Sequence, residues 1–451
     1  MANELLIRLY DVGLGDCIYV RIPGETDANE KAFHMLIDCG TWSDGGLLTK
    51  AIEQLKSELP TEGSKKRLDL VVVTHEHKDH IAGFDPKIFE DVKVGAVWMN
   101  CVMNPKHPQA GKTRKVRAVA QKAMQSLEAL GKDLSPRVAE LLSVFQINNK
   151  GAMETLRSTL LKGAEPTYVS AGETNLTHDI KLHNATINVI GPESDFDGFY
   201  LGKTAENALR GVIGPTAFDA ADDDAEDGQL KEVAFTSADA PLPGNISPAS
   251  FRSLRARMQS NGLAFAELDG KLKNNSSVVL LIEWSDKRLL FVGDAEWSSD
   301  FKLGKMNGSW NVMWNKRKEI LGKPVDFLKI GHHGSENATP WDMGNKKKTE
   351  AVDILEAILP LPKNGEQAKA TAVVSTERGK YPTIPRALLM TEIARRIRDP
   401  RIYKPFLKDF KPKDPADFAA YEADWLNQAQ PLRTDFERIR KATGYIDVLF
   451  Q

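Results

Sequence analysis

Over the first forty residues apolar positions come in short runs separated by glycine turns, and Leu5–Tyr10 predicts an opening strand. Leu47, Leu48, Ala51, Ile52, Leu55 and Leu59 then recur at helical spacing, which predicts a helix over about 47–59 lying on the sheet. Leu70–Val73 is a continuous apolar run with three valines, the pattern of a strand buried on both faces. At Thr74 the chain turns polar, and Gly83 allows a turn. A short helix and a strand from Val92 to Met99 are expected next. From about 105 to 161 the period becomes helical, with Val116, Val119, Ala123, Leu127 and Leu130 on one face and Gly131 ending it. Val138, Leu141, Leu142 and Phe145 line the following helix. Ile180–Leu182 and Thr186–Ile190 read as a hairpin through His183 and Asn184. Ser277–Trp284 and Arg288–Val292 read as adjacent strands. A helix at about 350–359, a strand Ala370–Thr376 and a basic helical tail from Pro385, with Arg386, Arg395, Arg396, Arg398 and Arg401, complete the pattern.

This divides the 451 residues into a first sheet-and-helix half (1–104), an inserted helical cap (105–165), a second half (166–384) and a helical C-terminal extension (385–451). The stretch 193–246 is rich in Gly, Pro, Asp and Ala, and its acidic run Asp219–Asp227 reads as a mobile loop rather than a metal site. A short helix over Ala249–Gln259 precedes the second pair of strands. The final Asp447–Gln451 reads either as a last strand or as the remnant of a viral-protease site.

Net charge is −2, so bulk electrostatics draw the chain to neither nucleic acid nor membrane, and polyanion binding would have to come from local patches. The first cap helix, with Lys106, Lys112, Arg114, Lys115, Arg117 and Lys122, offers either a solvated face or a phosphate-contacting one. Three cysteines, Cys17, Cys39 and Cys101, form no disulfide framework or zinc spacing and fit a reducing compartment. No charged-then-apolar leader opens the chain, and no apolar run approaches the ~20 residues of a spanning helix. A soluble, cytoplasmic protein without a membrane partner is expected.

The chemistry concentrates after the buried strand. His75, His77, Asp79 and His80 place four candidate metal ligands within six residues, in a chain with nine histidines. An extended loop would give His75, His77 and Asp79 a shared direction, with His80 turned to a neighbouring point. Imidazole and carboxylate together suit zinc, and also manganese or iron. No Gly-x-Ser-x-Gly elbow or phosphate-binding glycine-rich loop with lysine is present, which removes serine-hydrolase and P-loop readings.

The run His-x-His-x-Asp-His resembles the signature of the metallo-β-lactamase fold superfamily of hydrolases. Four further segments, in the family's order, resemble its other motifs: Asp11–Cys17, Leu36–Gly40, Arg288–Glu296 and Val325–Ser335. The His332-His333-Gly334-Ser335 form, with Asn274–Val278, looks most like the ComEC-like branch. The resemblance implies an α/β fold, a four-layer αβ/βα sandwich carrying the inserted helices and the helical tail. It implies two divalent metal ions, zinc first and manganese second. His75 and His77 would hold one, Asp79, His80 and His332 the other, with Asp294 bridging. Asp79, Asp294 and His333 would take the catalytic roles, His333 either beside the metals or as a ligand in place of His332. The expected function is hydrolysis by a metal-bound hydroxide, of a phosphodiester in DNA or another nucleic acid. The alternatives are an ester, thioester, lactone or lactam hydrolase, or a non-catalytic module binding nucleic acid or protein. Asp294 and His332 stand too close in sequence for the nucleic-acid clamp that RNA-processing relatives carry between them. Two positions depart from the family pattern. The position of a third histidine for the first metal falls among Lys273, Asn274 and Asn275, so that site would be weaker, filled by water, or completed by a distant group such as His183 or His178. Tyr381-Pro382-Thr383 stands where related chains have Tyr-Gly-His-Pro.

Overall fold

The computed structural model describes residues 4–26, 31–42, 44–128, 149–213, 218, 263–341, 349–363, 366, 368–376, 384–394, 396–397 and 444–451. Two sheets form its centre. The first contains β1 (Leu5–Tyr10), β2 (Cys17–Thr26), β3 (Lys31–Cys39), β4 (Thr61–Glu62), β5 (Lys65–Val73), β6 (Val92–Asn100), β7 (Thr167–Val169) and β13 (Tyr445–Phe450), in the order β13-β1-β2-β3-β5-β6-β7, with β4 on β5. The second has the order β12-β11-β10-β9-β8, built from β8 (Ala185–Gly191), β9 (Val279–Trp284), β10 (Lys287–Phe291), β11 (Phe327–Ile330) and β12 (Thr371–Val374).

Alternation along these strands builds the layers, because successive side chains leave opposite faces. Leu5, Ile7 and Leu9 of β1, Leu70 and Val72 of β5, and Leu289 and Phe291 of β10 meet in one core between the sheets. The intervening Leu6, Tyr10, Val71 and Val73 face outward against Leu48, Ala51, Ile52 and Leu55 of α1 (Gly45–Glu58). On the other side Leu290, Leu328 and Ile330 pack against Trp310, Met313, Ile354, Leu355 and Met390 of three outer helices. The result is helices, sheet, sheet, helices, the sandwich that the apolar pattern and the resemblance led us to expect. Burial on both faces explains why the end of β5, Leu70–Val73, reads as an unbroken apolar run rather than an alternating one.

The strands that carry chemistry run parallel. β3, β5 and β6 are parallel neighbours in the first sheet, and β10, β11 and β12 in the second. Residues just beyond their C-terminal ends therefore gather along one edge, where open α/β sheets place ligands.

Some local expectations need correction. Ile180–Leu182 is not a strand; β8 pairs instead with β9. The Asn175 side chain explains this, since its amide donates to the Ile180 carbonyl while its oxygen accepts from Ile187 N–H. The residues after Gly83 form turns, and the one-turn helix α2 (Lys78–Ile81) lies before it, inside the ligand run. The last residues form a strand, in which Asp447 takes the Arg8 guanidinium through both oxygens at 2.7 and 2.8 Å. The expected helix through Val138–Phe145, the acidic run Asp219–Asp227, the helix over Ala249–Gln259, Tyr381–Thr383 and the tail arginines Arg395, Arg398 and Arg401 lie outside the described residues.

Candidate metal centre

β5 ends at Val73 and delivers Thr74 and His75; His77 follows in extended backbone, and α2 presents Asp79 and His80. Asp294 follows β10 across Gly293, and His332 and His333 follow β11. Close approach of backbone makes this possible. A Cβ on Gly40 would lie 2.3 Å from the Asp79 carbonyl carbon, so only glycine lets the end of β3 pass beneath α2.

Two donor groups result, and they share Asp294. In the first, His75 Nε2 lies 2.9 Å from His77 Nδ1 and 3.7 Å from Asp294 Oδ2. In the second, His80 Nε2 lies 3.3 Å from Asp294 Oδ1 and 3.8 Å from Asp79 Oδ2, while His333 Nε2 lies 2.9 Å from Asp79 Oδ2. The candidate ligand atoms within each group lie within 4.8 Å of one another. His75, Asp79, His80, Asp294 and His333 are all buried.

His333, not His332, therefore completes the second group. Both residues have positive φ, 40° and 51°, and this double left-handed turn swings the two rings apart. The His332 Nδ1 lies 3.2 Å from Glu296 Oε1, with its side chain 30% exposed, and its backbone N–H donates to Asp294 Oδ1. Histidine adjacency hid this in the sequence, because nothing in His-His-Gly says which ring turns inward. Neither candidate for a third first-group histidine is near: His178 pairs with Glu173 at 3.0 Å against the Trp98 ring, and His183 is exposed. Asn274 donates to Glu296 Oε1, and Asn275 Oδ1 accepts from Ser309 N–H and Glu296 N–H. These asparagines brace the neighbouring turn. Lys329, nearby on β11, is buried on Asp16.

The hydrogen bonds around the rings assign their tautomers. Asp38, fully buried at the end of β3, accepts from Thr74 N–H, from the Thr74 hydroxyl at 2.7 Å and from His80 Nδ1 at 2.7 Å. Burial pushes the Asp38 carboxyl up, yet all three neighbours are donors, so both oxygens accept. With its one proton on Asp38, the Thr74 oxygen accepts from His75 Nδ1–H at 3.1 Å. Ser277 Oγ accepts from Asp294 N–H and lies 3.3 Å from the same His75 nitrogen. His75 and His80 thus direct Nδ1–H away from the centre and turn Nε2 toward the carboxylates, the arrangement of metal-ligating histidines. Among the described residues, no hydrogen-bond partner meets the buried His77 Nε2 or His80 Nε2.

The electrostatics match. Burial and the neighbouring His80 and His77 hold His75 well below the usual histidine range. Burial alone would do the same to His80, but Asp294, Asp38 and Asp79 together hold its imidazolium well above that range. Burial opposes ionisation of Asp294 as well, and His80 and His332 keep it low nonetheless. The pocket demands positive charge at its centre. A donor set of four imidazoles and two carboxylates, with buried nitrogens lacking partners, fits divalent cations. Outside this set, Arg117 of α3 (Ala110–Glu128) grips Glu76 at 2.7 Å, and Asn149 donates to the Glu76 carbonyl, so these two side chains brace the ligand loop.

No helix among the described residues is long and apolar enough to cross a membrane. No curated protein matches the chain. The family scan does find a match, and it falls on the stretch that supplies Asp16, Asp38, His75, His77, Asp79 and His80: residues 11–86 match the metallo-beta-lactamase superfamily.

Proposed function

We propose that this protein is a metal-dependent hydrolase that cleaves phosphodiester bonds, in DNA or another nucleic acid. The observation that carries the reading is the pair of buried donor groups joined through Asp294. His75, His77 and Asp294 would hold one divalent cation, and Asp79, His80, His333 and Asp294 a second, zinc or manganese. Bound divalent cations supply a water of near-neutral pKa and offset charge building on substrate oxygens.

The chain's own residues support an anionic substrate. Only Asp79 and Asp294 among the donors carry negative charge, too little to neutralise two dications. The surrounding acids are engaged: Asp16 by Lys329, Glu76 by Arg117, Asp38 by His80, Glu296 beside His332. A phosphodiester would then be favoured over a neutral ester or amide. His332, partly exposed and steadied by Glu296, is the histidine left to meet a substrate oxygen. The ComEC-like form of the last motif supports the same class. The basic face of α3 does not, since Lys112 pairs with Asp197 and Glu206, and Arg117 with Glu76.

Purified protein should hydrolyse bis-p-nitrophenyl phosphate and DNA with added zinc or manganese, and a chelator should abolish this. Asp294→Asn should lower the rate at least ~100-fold while preserving the unfolding temperature. Faster turnover of a lactone or chromogenic lactam would move the substrate class to acyl compounds. Stoichiometric metal uptake of zero would leave a non-catalytic binding module.

A further inference from the structure

Lys329 sits in β11 on the same face as Phe327, directed into the space between the sheets, and is 1% exposed. A buried ammonium needs a partner, and Asp16, from the turn between β1 and β2 of the other sheet, provides one at 2.5 Å. The second Asp16 oxygen, Oδ1, accepts from the hydroxyl of Ser375, just beyond β12. Ser375 in turn faces His333: Nδ1 is 3.0 Å from the Ser375 carbonyl oxygen and 3.3 Å from its hydroxyl oxygen. Asp16 also donates its own N–H to the Asp79 carbonyl at 2.9 Å.

The direction of each bond follows from the first. The ammonium only donates, so the carboxylate accepts; the carboxylate takes the serine proton, so the serine oxygen is left as an acceptor. Both Ser375 oxygens then face His333 Nδ1 as acceptors, and the proton of the imidazole must be there. Its Nε2 keeps the lone pair, 2.9 Å from a carboxylate oxygen of Asp79 that also only accepts. Two acceptors at that distance require a cation or a proton between them.

We propose that Lys329, Asp16 and Ser375 form a positioning chain across the two sheets that holds the Ser375 oxygens against His333 Nδ1 and so governs occupancy of the second cation site. It does for His333 what Asp38 and Thr74 do for His80 and His75, with one difference. Its carboxylate and its cation come from different sheets, so the second site assembles only when the sheets are docked. The inference rests on the metal reading above.

The test is calorimetric titration of chelator-stripped full-length protein with manganese chloride, with thermal unfolding of each variant. Wild type should take up two ions. Asp16→Asn combined with Lys329→Met removes the ion pair without leaving a buried charge unmatched. It should keep the His75–His77 site and lose ~10–100-fold in affinity for the second ion. Ser375→Ala should shift the same step by a smaller factor, and it decides the matter if the double variant does not fold. Long-range ¹H–¹⁵N spectra of metal-free protein should show Nδ1 of His333 protonated throughout in wild type, with the second proton on Nε2 exchanging, and protons exchanging at both nitrogens in the variants. Affinity for the second ion within about twofold of wild type in the folded variants, or equal loss of both ions, would overturn the proposal. A wild type that binds no manganese would instead remove the metal reading, and this inference with it.

Discussion

At the scale of single residues, the polar groups behind the ligands decide more than the ligands themselves. Asp38 is fully buried, yet it breaks no rule, because every lone pair it turns inward meets a donor. The His-x-His-x-Asp-His run was legible because its members are neighbours in sequence. The choice between His332 and His333 was not, since it depends on two positive φ angles and on Ser375, forty-two positions away. Asp16 and Asp38 were visible only as charges at the ends of apolar strands, the one sign that a buried partner awaited them. A different histidine yields a pH prediction free of the centre. His34 is buried beside Tyr19, whose hydroxyl lies 2.6 Å from Nδ1, and burial with Arg67 and Arg21 lowers its pKa to about 4. The unfolded chain binds that proton from about pH 6.5 downward, so this stability is complete above pH 6.5 and lost progressively toward pH 4. Roughly 2–3 kcal/mol should disappear across that window. In His34→Gln, urea midpoints compared at pH 7.5 and 4.5 should fall by correspondingly less than in wild type. Parallel slopes would refute the assignment.

At the scale of elements, the centre depends on how three turns stack. The β1–β2 turn, the end of β3 and α2 approach so closely that Asp16 N–H reaches the Asp79 carbonyl and Gly40 N–H the Asp16 carbonyl. Gly40→Ala should therefore cost more than the ~1 kcal/mol of a typical point mutation, since the added methyl meets backbone rather than a movable side chain. Its signature should be weaker uptake of the second ion together with a lower unfolding temperature. A variant indistinguishable from wild type in both would show that the loop has slack. Periodicity found α1, β6, β9 and β10 to within about two residues, because each buries a regular face, and of β5 it found only the buried end, Leu70–Val73, since the strand begins five residues earlier at Lys65. It failed at Ile180–Leu182, where one asparagine side chain satisfies the backbone and no partner strand is needed.

At the scale of the whole molecule, the first sheet is closed by a strand pairing of very long sequence range, β13 on β1. Arg8 of β1 holds Asp447 of β13 through two bonds, reaches Glu58 at 2.8 Å and lies 3.6 Å above the Tyr445 ring. Replacing it with methionine should destabilise the fold by about 2 kcal/mol, since both acids are one-third exposed and water recovers part of the loss. Manganese uptake should be unchanged, because this clasp lies in the edge strands and touches none of the donor groups. Simultaneous loss of metal would show that the edge strands and the centre are coupled.

Arg8 and Asp447 are 439 positions apart, and they sit side by side. On a ribosome that distance is time. β1 must wait with one bare edge while the residues between it and β13 are made, and only the arrival of β13 covers it. Pairing over such a separation slows folding and leaves an unguarded strand in the meantime. The nascent protein should be a customer for chaperones, and at high expression its first strand is where self-association would begin.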